Sequence, residues 1–105
     1  MEAVNRSVVI VRYKPPFIKW ANSRMADGIE RSREYFEDNR TAVLIPKQDG
    51  EKEARVYVEK IWNKLFEEIL ADWNNLEILW PQNRSKKMFH QWFSIEFQQT
   101  VIDVG

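Results

Sequence analysis

No cysteine occurs among the 105 residues. Disulfides, thiolate zinc sites, iron–sulfur clusters and a cysteine nucleophile are therefore excluded, and the absence fits a reducing compartment. Glycine is nearly as scarce, with three in all, Gly28, Gly50 and Gly105, and none lies in a glycine-rich run able to cradle a phosphate. One histidine, His90, completes neither a common metal site nor a Ser–His–Asp order, so no metal and no cofactor are expected. An excess of charge is missing too: 16 Lys and Arg stand against 16 Asp and Glu, and no global field draws the chain to nucleic acid or an anionic membrane. Long apolar runs are absent, the longest near the N-terminus being Val8 to Val11, far short of a signal core or a membrane span. The expectation is a cytoplasmic chain with no membrane contact.

What is abundant is aromatic. Five Trp, six Phe and three Tyr make up 13% of the chain and hydrophobic residues 44%, which places it among ordered proteins and predicts a single compact domain over residues 1–105. Charge is uneven along it. Residues 1–25 hold five bases and one acid, whereas residues 26–77 hold eight bases and thirteen acids.

Arg6 to Tyr13 is β-branched and ends at Pro15-Pro16, which predicts a strand; its run Val8-Val9-Ile10-Val11 lacks alternation and suggests cover on both faces. The two prolines suit the first turn of a helix carrying Phe17, Trp20 and Ala21 on one stripe. Gly28 to Asn39 is strongly charged and predicts a surface helix. Thr41 to Pro46 reads as a second strand, and the helix between the two suggests a crossover unit. From Glu51 to Trp73, Ala54, Val58, Ile61, Leu65, Ile69 and Trp73 recur at helical spacing, widened by Trp62 and Phe66, so this is a long amphipathic helix. Pro81 ends the next short turn near Leu79. Ser85 caps a last helix bearing Phe89, Trp92 and Phe93, and from Ile95 the period falls to two, giving a terminal strand half covered on both faces. The order predicts an α+β fold: a small three-stranded mixed sheet packed by the long helix and two or three shorter ones, with the last strand beside the first.

Residues 12–22, Arg-Tyr-Lys-Pro-Pro-Phe-Ile-Lys-Trp-Ala-Asn, followed by Leu44-Ile45-Pro46, Phe66-Glu67-Glu68, Trp73, Leu79-Trp80-Pro81, Arg84, Phe89, Trp92-Phe93, Glu96 and Val101-Ile102-Asp103, resemble a set of small bacterial proteins of unknown function. The resemblance implies a compact bacterial domain and no particular chemistry.

Two clusters are candidate binding surfaces. The first is basic and aromatic, Arg12, Tyr13, Lys14, Lys19 and Trp20, in which cations would hold phosphate or carboxylate and an exposed ring would stack on a partner. Trp20 shares a helical face with Phe17, however, which favours a core ring with a solvated rim. The second is Trp80, Pro81, Arg84 and Glu96, with Arg84 lying over the Trp80 ring or paired with Glu96, either pinning the turn or lining a small pocket. His90 titrates nearest neutrality but falls off the apolar stripe, and Glu67 and Glu68 do not converge. The residues favour a non-enzymatic binding or protein-interaction domain whose partner is another protein or a second copy, because Trp, Tyr and Arg are the side chains enriched at interface hot spots. The alternative is a small enzyme using Arg84, His90, Glu96 or Asp103 in one pocket. A second alternative, nucleic-acid binding through the basic N-terminal cluster, is opposed by the zero net charge, and no nucleic acid is expected.

Overall fold

The structure is a computed structural model that describes residues 2–105, with side chains from Val4 onwards. Strand β1 is Glu2–Ala3 and β2 is Arg6–Tyr13; α1, Pro15–Ser23, and α2, Arg33–Asp38, lead to β3, Thr41–Pro46. The long helix α3 spans Glu51–Trp73, a 3-10 turn covers Glu77–Leu79, α4 is Lys86–Trp92, and β4, Phe93–Gln98, and β5, Ile102–Asp103, complete the chain. The α+β class and the three-stranded sheet follow the expectation, and β4 lies beside β2.

The sheet order is β3-β2-β4, and both pairings are antiparallel rather than mixed. Because β3 and β4 both run against β2, they run in the same direction as each other. The crossover is therefore made by α3 and α4 between the two edge strands, with β2 inserted between them, and not by α1 between β2 and β3.

Burial along β2 alternates strictly: Ser7, Val9, Val11 and Tyr13 are buried, while Val8, Ile10 and Arg12 between them are only half-buried. The uniform aliphatic run had suggested cover on both faces; the helices cover one. Register puts Val43 and Ile45 of β3 and Phe93, Ile95 and Phe97 of β4 on that covered face. α3 lies against it with Ala54, Val58, Leu65, Phe66, Ile69 and Leu70 buried, and Ile61, Trp62 and Trp73 partly buried. At about 1.5–3 kcal/mol for each fully buried large side chain, this helix is the largest single source of burial.

The aromatic residues form the seam. Phe17, with no exposed surface, stacks on Tyr13 at 4.6 Å between centroids and meets Trp20, Phe36, Trp73, Trp92 and Phe93. The surface helix expected over Gly28 to Asn39 is shorter, Arg33–Asp38, and docks through one ring: Phe36 is buried and stacked on Trp73 at 4.9 Å, while the other residues of α2 stay exposed or half-buried. Ser32 caps α2 by accepting from the Tyr35 N–H, and Ser85 caps α4 by accepting from the Met88 N–H.

Two corrections concern the chain end. Phe93 is the first residue of β4, opposite Tyr13, rather than part of the last helix, and its buried ring points into the seam. The strand ends at Gln98. Residues beyond it pair as a strand with the N-terminus, Glu2 opposite Asp103 and Ala3 opposite Ile102, Lys47 Nζ donates to the Gln99 carbonyl at 3.3 Å, and Ile102 and Val104 are exposed.

Candidate functional site

The uncovered side of the sheet is built by the residues that alternate with the core. Val8 stands between Leu44 and Gln98, Ile10 between Ala42 and Glu96, and Arg12 opposite Ser94. Among the described residues no helix lies across this face; Leu44 is 62% exposed and Ala42 and Pro46 are exposed. The result is an aliphatic centre on a surface where an antiparallel sheet usually presents polar side chains.

Its rim is charged. Arg12 Nη1 donates to Glu96 Oε1 at 2.6 Å, a diagonal neighbour on the same face, and Arg12 Nη2 donates to Glu37 Oε2 at 3.3 Å from the last turn of α2. Arg40 lies 3.9 Å from the same Glu37 oxygen. Each of the Arg12, Glu37 and Glu96 side chains is about two-fifths exposed, so solvent screens these pairs and they add little to stability. Arg12 Nε is buried without a hydrogen-bond partner. A shallow depression of about 380 Å³, lined by Ile10, Asp38, Arg40, Ala42, Glu96 and Gln98, joins the aliphatic centre to this rim.

Beneath Arg12, on the covered side, Trp73 Nε1 donates to the Tyr13 hydroxyl at 3.3 Å and that hydroxyl is hydrogen-bonded to Thr41 Oγ1. The bond ties the end of α3 to the start of β3. Ser7, the buried polar residue of the covered face, accepts from the Gln48 N–H at 2.9 Å and fixes the other end of β3.

The sequence candidates separate. Arg12 and Glu96 come together, in a pairing the sequence did not suggest. Lys14 leaves them and donates to the His90 carbonyl at 2.7 Å. Trp20 and Trp80 are 9% and 8% exposed, and each indole N–H is bound to a backbone carbonyl, Leu79 at 3.1 Å and Asn74 at 2.7 Å. Both rings are therefore pins of the core with an edge on a shallow groove of about 490 Å³, in which half-buried Trp92 is the third tryptophan and Lys19 and Arg24 supply the charge. Arg84 lies over the Trp80 ring at 5.9 Å, as one of the two expected arrangements has it, but its carboxylate is Glu67 at 3.0 Å and not Glu96. It also donates to the Pro81 carbonyl and to Asn63, locking the turn before α4 onto α3.

The four residues of the enzymatic alternative do not converge. Arg84 is held by Glu67, His90 is paired with Glu59 on α3, Glu96 is held by Arg12, and Asp103 accepts from the Gly105 N–H. Among the described residues no group of three or more His, Asp or Glu is placed to hold a metal ion, and no helix is long and apolar enough to cross a membrane.

One carboxylate is strongly perturbed. Side-chain hydrogen bonds from Arg31 at 2.7 and 3.1 Å, then the Ile29 N–H, hold Asp27 down from 3.8 to about 2, and the same contact raises Arg31. These residues close the loop between α1 and α2.

What the sequence missed is the edge of the sheet. β3 has β2 on one side only, and along its free side runs a groove of about 610 Å³ against α3, with Val43, Ile45, Tyr57, Ile61 and Leu65 in the wall and Lys64, Glu68 and Asp72 at the lip. Six uncharged residues in a row, Thr41 to Pro46, were the available signal. Comparison of the chain with protein-family models, with curated proteins and with solved structures finds no match.

Proposed function

We propose that the protein is a non-enzymatic interaction domain that binds another polypeptide on the uncovered face of its sheet. The observation that carries this reading is the aliphatic centre formed by Val8, Ile10, Ala42 and Leu44, bordered at its Arg12 end by Arg12, Glu37, Arg40 and Glu96. An apolar centre with a polar, mixed-charge rim is the composition of a protein interface, and the rim charges of both signs select register and partner more than they add affinity. The scattering of Arg84, His90, Glu96 and Asp103 among four separate partners supports binding over catalysis, since acid–base work needs at least two such groups within reach of one reacting atom.

A displayed random-peptide library selected on the immobilised full-length chain should yield binders. Their affinity should fall about tenfold or more with Ile10→Lys, the loss typical of removing an interface anchor, and stay unchanged with Lys87→Ala on α4. Failure to enrich any binder, or binders indifferent to Ile10→Lys in a variant that still unfolds cooperatively, would overturn the reading.

A further inference from the structure

We propose that Asp49 is a site of spontaneous covalent modification, converting from aspartate to isoaspartate through a cyclic imide, and that the fold directs this chemistry to Asp49 while protecting Asp27. The proposal concerns the turn between β3 and α3 and not the open face of the sheet, so it does not depend on the function proposed above.

The chain has two Asp-Gly steps, Asp27-Gly28 and Asp49-Gly50. At such a step the glycine nitrogen can attack the side-chain carboxyl carbon of the aspartate, because glycine has no Cβ to crowd the approach. A bond forms between the nitrogen and Cγ, and the amide proton leaves with a carboxyl hydroxyl as water. Water then adds back at one of the two imide carbonyls. Opening of the bond to Cγ returns aspartate; opening of the bond to the α-carbonyl leaves the backbone running through the side chain, one methylene longer, beside a free α-carboxylate. Nothing is oxidised or reduced, and the mass is unchanged. The reaction needs a nitrogen free of hydrogen bonds, a carboxyl free to rotate onto it, and the protonated acid, from which the oxygen leaves as water.

The two steps differ in all of these. The Gly28 N–H donates to the Met25 carbonyl at 3.2 Å, in a turn where the glycine φ is 69°. The Asp27 carboxylate accepts from Arg31 Nη2 at 2.7 Å, from Arg31 Nη1 at 3.1 Å and from the Ile29 N–H at 2.9 Å. Asn22 closes the loop further, its side-chain amide bonding both the N–H and the carbonyl of Arg31 at 2.7 and 3.1 Å. The Arg31 contacts favour the charged carboxylate, which cuts the protonated fraction at neutral pH by about tenfold or more. At the other step nothing is held. Asp49 is exposed, and among the described residues neither its carboxylate nor the Gly50 N–H has a hydrogen-bond partner. The chain is anchored only on either side, where the Gln48 N–H donates to Ser7 Oγ at 2.9 Å and the Gly50 carbonyl accepts from the Ala54 N–H at 3.1 Å. The reacting atoms therefore lie in the free gap between a fixed strand end and a fixed helix start.

The full-length folded chain, incubated at neutral pH in water enriched in heavy oxygen and followed by peptide mapping, should accumulate isoaspartate at Asp49 about tenfold or more faster than at Asp27. Each converted peptide should carry at least one solvent oxygen. In urea the two steps should react at comparable rates, because the difference belongs to the fold. Arg31→Met should raise the rate at Asp27 severalfold in the folded chain. Gly50→Thr should bring Asp49 down to the level of Asp27, since a β-branched side chain crowds the attacking nitrogen. A Cβ at Gly50 meets only the end of the flexible Glu53 side chain, at 3.3 Å, and a threonine at the helix N-cap three residues before a glutamate makes a capping box, so this variant should fold. Cooperative urea unfolding monitored by circular dichroism checks it. No conversion at Asp49, equal conversion at the two steps of the folded chain, a preference that survives in urea, or an Asp27 as inert in Arg31→Met as before would each overturn the proposal.

Discussion

Neighbouring residues of β2 lead opposite lives. Ser7, Val9, Val11 and Tyr13 face a layer of helices and are between 0 and 6% exposed, whereas Val8, Ile10 and Arg12 face outward and stay half-buried. The covered face is held by shape: Tyr13, Phe17, Phe36, Phe93 and Trp73 interlock with centroids roughly 5–6 Å apart, the range in which aromatic pairs add about 0.5–1.5 kcal/mol beyond their burial. The open face is held by ion pairs among half-exposed side chains, where solvent screening leaves little. The difference divides one thin sheet: one side makes the fold, and the other contributes little to it.

That division is tested first where the expected effect is largest. Phe17→Ala empties the centre of the aromatic seam and should cost about 3–5 kcal/mol in urea titration; a loss near 1 kcal/mol would mean that the seam collapses readily and that the covered face is less specific than its packing. Ser7→Ala on the same face leaves the Gln48 N–H without its acceptor and should cost about 1–3 kcal/mol, with amide exchange at Gln48 accelerated beyond the global change. Arg12→Met on the open face should change stability by less than about 1 kcal/mol, because the lost pairs are solvent-screened and the apolar stem that packs along the strand is kept. A loss comparable to Phe17→Ala would make the rim structural.

The smallest effect lies off the sheet. The Asp27 carboxyl is lowered in the folded chain from 3.8 to about 2, so its contribution to stability is fully present above pH 3.8 and is lost as pH falls through about 2. An NMR titration should place its midpoint near 2, and Asp27→Asn should remove that part of the acid dependence. A midpoint near 3.8 would mean that the contact with Arg31 does not persist in solution.

Much of the covered face was legible because helical period survives in residue type. The stripe from Ala54 to Trp73 marked α3 without ambiguity, and Phe17 with Trp20 marked the buried side of α1. Leu70 was missed, being on the margin of that stripe towards α4. The open face was hidden for the opposite reason: in Val8-Val9-Ile10-Val11 the alternation is of burial and not of chemistry, so a one-sided strand looks like a two-sided one. The charge of Gly28 to Asn39 points to a surface helix, and it is the rings of Tyr13, Phe17 and Trp73, all distant in sequence, that give Phe36 a place in the core. The partner of Glu96 was likewise out of reach. Arg12 and Glu96 are 84 residues apart, and their meeting depends on a strand register that no local pattern encodes. The edge of β3 follows from sheet order, which the uncharged run Thr41 to Pro46 does not disclose by itself.

The most direct test of the one-faced sheet is a single substitution made twice, at adjacent residues. Val8→Thr and Val9→Thr keep β-branching and volume and add the same hydroxyl, so strand propensity and shape cancel and only the environment differs. With Val9 at 0% exposure and Val8 half-buried on the open face, Val9→Thr should lose about 1–3 kcal/mol in urea unfolding at unchanged denaturant slope, and Val8→Thr no more than about 0.5 kcal/mol. Equal losses at the two positions would contradict the division of the sheet into a covered face that makes the fold and an open face that contributes little to it.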